Sequence, residues 1–244
     1  MTTTAEAREA STGLDSTLDP RRHLLIFDPH HFGDRRVDVI GCGAVGSRIA
    51  MEVAKLGVQN LHLWDFDTIE AHNIANQLFN LDDIGKPKAT TLATHVRQAT
   101  GLEPAVHQKR VSSRQAFGDV VFLAVDTMAD RKSIFEHSLR LTFTTQLVVE
   151  VRMGAEELRV YGFNPRTRRD CQMWTESLSD DEATVESACG AQTTVGATAG
   201  ITACLAVHRF LQWYRQDVVR DPTHTAELPI EQVMMLRPLI TFTN

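Results

Sequence analysis

The sequence predicts an α/β fold, a mostly parallel sheet with flanking helices. Two features point there: short apolar strands alternate with amphipathic stretches, and a glycine-rich turn joins the first strand directly to the first helix. The chain has 244 residues, 43 % of them hydrophobic, enough for a real core in one large α/β domain or two small ones.

Residues 1–20 are rich in Thr, Ala, Ser and acidic residues and lack the apolar stretch of a signal peptide, so they read as a flexible arm. Residues 21–244 read as a single domain. Within it, Arg35-Arg36-Val37-Asp38-Val39-Ile40 is a short buried strand running into Gly41-Cys42-Gly43-Ala44-Val45-Gly46-Ser47. Ser47 to Leu56 is a helix by the spacing of Ile49, Val53 and Leu56, and Gly57 ends it. Asn60 to Trp64 is the second strand and delivers Asp65-Phe66-Asp67. Lys88 to Thr100 reads as an amphipathic helix, Ala105 to Arg110 as a polar strand, and Asp119 to Val125 as a fully buried parallel strand that brings Asp126 to its C-terminal end. A helix over Ala129 to Leu139 follows, then strands around Leu147 to Val151 and over Glu157 to Phe163. The stretch 164–190 opens with Arg166, Arg168 and Arg169, continues acidic and Ser/Thr-rich, and reads as a mobile connection. A late helix from about Thr194 to Gln216 and one or two terminal strands complete the chain.

Lys and Arg number 25 against 31 for Asp and Glu, a formal charge of −6, which excludes nucleic-acid binding by bulk charge. The four cysteines form no C-x-x-C pair and are too sparse for a disulfide scaffold, so a reducing, cytoplasmic setting is expected. The apolar stretch Thr194 to Tyr214 is broken by His208, Arg209 and Gln212 and reads as a buried or interface helix, with no membrane partner expected.

Gly-x-Gly-x-x-Gly is weak alone. Here it joins a strand to a helix, and Asp65 stands 19 positions after Gly46, which makes a Rossmann-like nucleotide-binding βαβ unit. The glycines let backbone N–H groups approach phosphate at a helix N-terminus, and a carboxylate at Asp65 can accept hydrogen bonds from ribose hydroxyls.

Four stretches together resemble the ThiF/MoeB and ubiquitin-activating adenylyltransferase family. They are Gly41 to Ser47; Asp65-Phe66-Asp67-Thr68-Ile69-Glu70 with His72-Asn73-Ile74-Ala75-Asn76-Gln77; Asp83-Ile84-Gly85-Lys86-Pro87-Lys88-Ala89; and Val125-Asp126-Thr127 with Arg131. The resemblance covers roughly Arg21 to Ala203. It implies a ThiF/MoeB-type adenylation domain that uses ATP and Mg²⁺ to adenylate the C-terminal carboxylate of a small ubiquitin-like or sulfur-carrier protein, after which a sulfur nucleophile attacks the acyl-adenylate. It also implies a homodimer.

Carried over residue by residue, the resemblance assigns nucleotide contacts to Gly41, Gly43, Ala44, Val45, Gly46, Asp65, Asp67, Asn73, Asn76, Gln77 and Lys88. Lys88 would neutralise phosphate oxygens in the transition state, or be a solvated lysine that opens a helix. Asp126 would hold Mg²⁺, or cap the helix that follows. Asn76 stands where the family carries an arginine; loss of that guanidinium weakens transition-state stabilisation unless another cation substitutes, with Arg131, Lys86 or a partner subunit's arginine as candidates. Arg22, before an apolar run at the matching place, is the candidate to act in the other protomer's site, with a surface charge as its plain alternative. Cys189, in Ala188-Cys189-Gly190-Ala191-Gln192-Thr193-Thr194, lies where related enzymes carry a cysteine; it is either the nucleophile that takes the carrier or a small residue packed under the late helix. Cys42 and Cys204 are assigned no reaction, and no zinc is expected. The small residues Gly196, Ala197, Gly200 and Ala203 let another helix approach closely, from within the chain or from a second copy. Two alternatives stand beside adenylation: a non-catalytic scaffold subunit of an activating complex, motivated by Asn76, and a NAD-dependent oxidoreductase.

Overall fold

The computed structural model describes residues 18–111, 114–178, 194–237 and 239–243. After a one-turn helix, α1 (Pro29–Phe32), the chain runs β1 (Val37–Ile40), α2 (Gly46–Lys55), β2 (Leu61–Trp64), α3 (Lys88–Thr100), β3 (Ala105–His107), β4 (Val120–Leu123), α4 (Met128–His137), β5 (Leu147–Met153), β6 (Glu157–Phe163), α5 (Arg168–Glu176), α6 (Gly196–Trp213), β7 (Glu231–Leu236) and β8 (Leu239–Thr243). Among the described residues the strands form one eight-stranded sheet in the order β3-β2-β1-β4-β5-β6-β7-β8. The first five are parallel neighbours, and β6, β7 and β8 extend the sheet with antiparallel pairing. The chain reverses its direction of travel across the sheet at β1 and β4. Their C-terminal ends therefore flank a crevice, where ligands of open α/β sheets bind.

Strand alternation splits the core in two. Val37, Val39, Leu63 and Phe122 pack in one cluster with Ile49 and Val53 of α2, Leu92 of α3 and Phe210 of α6. Ile40, Trp64, Val121 and Leu123 pack in the other with Ile134 and Phe135 of α4 and Trp174 of α5. The one polar residue of β1, fully buried Asp38, accepts hydrogen bonds from the Trp64 indole N–H at 2.7 Å and the Gly118 amide at 2.8 Å, and pairs with Arg36.

Two segments differ from the sequence expectation. The stretch read as a mobile connection from residue 164 contains a nine-residue helix, α5. Its anchor is Trp174, fully buried between Phe135 and Phe163 at ring-centroid distances of 4.7 and 5.3 Å. The indole N–H donates to the buried Glu150 carboxylate at 3.1 Å, so the helix is docked through both an apolar and a polar contact. Polar composition concealed this single anchor; residues 179–193 of the same stretch lie outside the described residues. The late helix, for its part, leaves α geometry at Trp213 and ends in a π-turn over Tyr214–Val218. Its Gly196 and Gly200 lie beside Arg48 of α2, at distances that a Cβ would also allow. Among the described residues, no helix is long and apolar enough to cross a membrane.

Trp174→Ala is expected to lower the unfolding free energy by roughly 3–5 kcal/mol, as for other buried aromatic truncations. Urea denaturation checks this, and a change within 0.5 kcal/mol, about the size of a surface substitution, would mean that α5 is not docked.

Candidate functional site

The turn after β1 is built on glycines with different duties. Gly41 has φ +90°, and a Cβ there would lie 2.4 Å from the Ala124 carbonyl oxygen; one on Gly46 would lie 1.8 Å from the Gly41 carbonyl oxygen. Those two positions are closed to any side chain. Gly43, between them, faces open space with nothing within 4 Å of its missing Cβ, which leaves room for a ligand against the backbone. The helix that follows has Val45 as its N-cap and no side-chain capping hydrogen bond, so the amides that open α2 are not spent on a side-chain cap.

Asp65, just beyond β2, is buried. One carboxylate oxygen accepts from the Cys42 amide at 2.7 Å, and the other from the Asp67 amide at 2.8 Å. Asp65 thus ties the glycine turn to the end of β2 and bends the Asp-Phe-Asp segment back toward it. Burial is the largest influence on its ionisation and raises its pKa, against the opposing effect of the two amides. Each oxygen keeps a lone pair for a ribose hydroxyl.

The Gly-Lys-Pro-Lys segment returns onto this point. Ile69 and Lys86 bond through their backbones at 2.9 Å, Gly85 donates to the Ile69 carbonyl at 2.8 Å, and the Lys88 amide donates to the Asp67 carbonyl at 2.9 Å. These bonds fix the first residue of α3 beside Asp67. The Lys88 Nζ lies 3.1 Å from Asp67 Oδ2, with only 9 % of its side chain exposed against 42 % for Asp67. Lys88 is therefore a sheltered cation at a helix N-terminus, and not a solvated lysine.

Between these segments, Glu70 and Asn73 form a reciprocal capping box, the Asn73 side-chain oxygen accepting from the Glu70 amide at 2.9 Å. Asn73 is buried and shapes the segment. Asn76 donates through Nδ2 to Thr194 Oγ1 at 2.5 Å, just before α6. The side-chain oxygens of Asn76 and Gln77 are buried with no hydrogen-bond partner among the described residues.

Asp126, just past β4, is exposed, and no ion pair holds its carboxylate among the described residues. The cap of α4 is Thr127, whose hydroxyl accepts from the Asp130 amide. That overturns helix capping as the use of Asp126. An exposed carboxylate at the crevice suits a hard divalent cation shared with phosphate oxygens. Arg131 fixes this position from behind: it donates to the Asp126 carbonyl at 3.1 Å, to the Val151 carbonyl at 3.1 Å, and pairs with buried Glu150 at 2.7 Å. These contacts consume Arg131, so it is not the substitute for a guanidinium at position 76. Lys86 is half exposed and paired with Asp83 at 3.2 Å.

Arg22 is exposed in a turn. Its neighbour His23 is bonded to the carbonyl of Leu56, at the end of α2 opposite the glycine turn. Arg22 is therefore not brought to its own crevice. Cys189 lies outside the described residues. Burial pushes the Cys42 thiol well above its ordinary pKa, Cys171 is raised by burial as well, and Cys204 is exposed.

Residues 30–237 match the model of the ThiF family. The chain belongs to the ThiF family. Its relatives include the sulfur carrier protein ThiS adenylyltransferase of Escherichia coli, 29 % identical over 57 % of this chain and 55 % of the relative. The SAMP-activating enzyme E1 of Haloferax volcanii is 38 % identical over 41 % of this chain and 39 % of the relative. The NEDD8-activating enzyme E1 catalytic subunit of Arabidopsis thaliana is 34 % identical over 41 % of this chain and 23 % of the relative. The chain thus aligns with little more than half the length of these relatives at most. Among solved structures, E. coli MccB with AMPCPP and MccA superposes with a TM-score of 0.65 at 13 % identity, covering 91 % of this chain and 66 % of that one. At that identity the likeness is one of fold. Family membership removes the ground for the oxidoreductase alternative.

Sequence reasoning passed over Arg48, whose Nη1 donates to the carbonyls of Ala44 at 2.7 Å and Asn76 at 2.6 Å. A signal was present: a cation in the first turn of a helix opposes the helix dipole. It also passed over Arg110, which stacks on Phe66 at 4.4 Å and pairs with Asp130 at 2.7 Å, linking the middle of the Asp-Phe-Asp segment to α4.

In the native protein at pH 8, iodoacetamide is expected to label Cys204 ahead of Cys171, with Cys42 labelled only after denaturation; peptide mass mapping checks the order. Native labelling of Cys42 would mean that the turn between β1 and α2 opens in solution.

Proposed function

We propose that this protein is a ThiF-type adenylyltransferase that activates the C-terminal carboxylate of a small ubiquitin-like or sulfur-carrier protein with ATP. The observation that carries the proposal is the convergence of the open backbone at Gly43, the sheltered Lys88 and the uncommitted carboxylate of Asp126 at one crevice. Adenosine lies toward Asp65 and Asp67, with the phosphates running along the turn from Gly41 to Gly46 toward Asn73, Asn76 and Gln77. A carboxylate oxygen of the carrier attacks the α-phosphorus, the bond to the leaving pyrophosphate breaks, and an acyl-adenylate forms.

Both reactants are anions, so the site's task is to hold positive charge and amide dipoles where negative charge gathers. The N-terminus of α2 and Lys88 do this from opposite sides. Asp126 would hold Mg²⁺, which would supply neutralisation of phosphate charge. Arg131, anchored on Glu150, sets the backbone from which Asp126 projects. In a homodimer, Arg22 reaches the crevice of the other protomer, and the Cys189 thiolate attacks the carbonyl of the acyl-adenylate to form a thioester as AMP leaves. A cytoplasmic setting supplies the ATP and keeps the thiols reduced.

Asn76 favours a second reading. A neutral amide at this position suits a non-catalytic scaffold subunit that keeps the fold and pairs with an active partner.

The test is exchange of labelled pyrophosphate into ATP, measured with small ubiquitin-fold proteins ending in Gly-Gly. The proposal expects exchange that Lys88→Ala and Asp126→Ala each reduce by on the order of 100-fold or more, the size of losing one transition-state charge contact. Binding of ATP without exchange for any acceptor would favour the scaffold subunit.

A further inference from the structure

We propose that Arg48 supplies the guanidinium that binds the outer phosphates of ATP at this site, a role that rests on the ATP-dependent reading above. Arg48 stands in the first turn of α2, three residues after Val45, the N-cap. Its Nη1 donates to Ala44 of the glycine turn and to Asn76 of the segment that closes over it, at 2.7 and 2.6 Å. No other arginine bonds to the turn from Gly41 to Gly46 among the described residues.

Three observations mark it as more than a strut. First, a cation in the opening turn of a helix is unfavourable with the dipole, yet it strengthens an anion site there. Neither α2 nor α3 carries an acidic residue in its first turn, and both carry a cation, Arg48 and Lys88. The first turns of α4 and α5 hold Asp130 and Asp170 instead. Second, the other guanidinium nitrogens lie beside small residues of α6 and meet no acidic group there: a Cβ on Gly196 would lie 3.5 Å from Nη2 and one on Gly200 4.0 Å from Nε, both ordinary contact distances. Third, both Nη1 bonds go to carbonyls, so the charge meets no carboxylate, unlike Lys88 on Asp67, Arg131 on Glu150 and Lys86 on Asp83. Burial lowers the pKa of Arg48 only from a value far above neutrality. With adenosine toward Asp65 and the α-phosphate at the glycine turn, the far side of that turn, where Arg48 and Asn76 meet, is left for the outer phosphates.

The test compares calorimetric affinities for Mg-ATP and for AMP in the wild type, Arg48→Gln, Lys88→Ala and the double variant Arg48→Gln/Asn76→Arg. Glutamine keeps an N–H donor for the carbonyls but no charge. The inference expects Arg48→Gln to weaken Mg-ATP at least tenfold and AMP less than twofold, with an unchanged melting temperature. The double variant should recover most of the loss, because residue 76 can return a guanidinium to the same place. Equal weakening of ATP and AMP, or a lowered melting temperature with no recovery in the double variant, would make Arg48 a strut and overturn the inference. Unchanged ATP affinity in Arg48→Gln, with Lys88→Ala weakened, would overturn it while leaving the adenylyltransferase reading intact. Failure of the wild type to bind Mg-ATP would overturn that reading and the inference with it.

Discussion

One carboxylate organises this site. Asp65 takes a hydrogen bond on each oxygen, from the amide of Cys42 in the glycine turn and from the amide of Asp67 past the end of β2. Removing it would leave two sheltered amides without an acceptor, at roughly 1–3 kcal/mol for each buried group left unsatisfied. Everything nearer the ligand depends on that tie. It holds the turn in the shape that Gly41 and Gly46 alone can adopt. It also aims the backbone of Asp67 at Lys88, so that the loop from Asp67 to Lys88 closes on itself.

The second organising term is charge placed against the local preference of the backbone. Arg48 and Lys88 open helices whose dipoles disfavour cations by about 0.3–1 kcal/mol each at exposed sites. Those helices gain their stability elsewhere, from Ile49, Val53, Leu92 and Val96 in the core. Surplus positive potential is thereby kept beside the open backbone at Gly43, in the family to which the chain belongs. The acidic groups are arranged to match: Glu150 lies wholly buried behind the site with Arg131 and Arg152, while Asp126 stays exposed in front of it.

Much of this was legible in the sequence, because the elements near the site obey local rules. The spacing predicts a helix over Lys88 to Thr100 and a strand over Glu157 to Phe163, and both are found at those bounds. Asp65 was found from its distance to Gly46, although spacing alone does not tell that its first partners are backbone amides. What escaped depends on long-range packing. Helix α5 is held by Trp174 reaching Phe135, Phe163 and Glu150, residues up to 39 positions away that periodicity cannot connect. The sequence leaves Arg131 free to reach phosphate, whereas in the fold Glu150, buried in the middle of a strand, claims it. The small residues of α6 leave two partners open in the sequence; in the fold, Gly196 and Gly200 lie beside Arg48 of α2.

On the proposed reading, a nucleoside triphosphate seats its phosphates on the backbone between β1 and α2. Amide resonances followed by nuclear magnetic resonance during titration with Mg-ATP, and separately with NAD, test it most directly. Mg-ATP is expected to shift the amides of Gly43, Ala44, Val45 and Gly46 the most, with Lys88 and Asp126 moving in step, and NAD to leave them in place. Saturable shifts centred away from that turn, or shifts there with NAD but not with Mg-ATP, would contradict it.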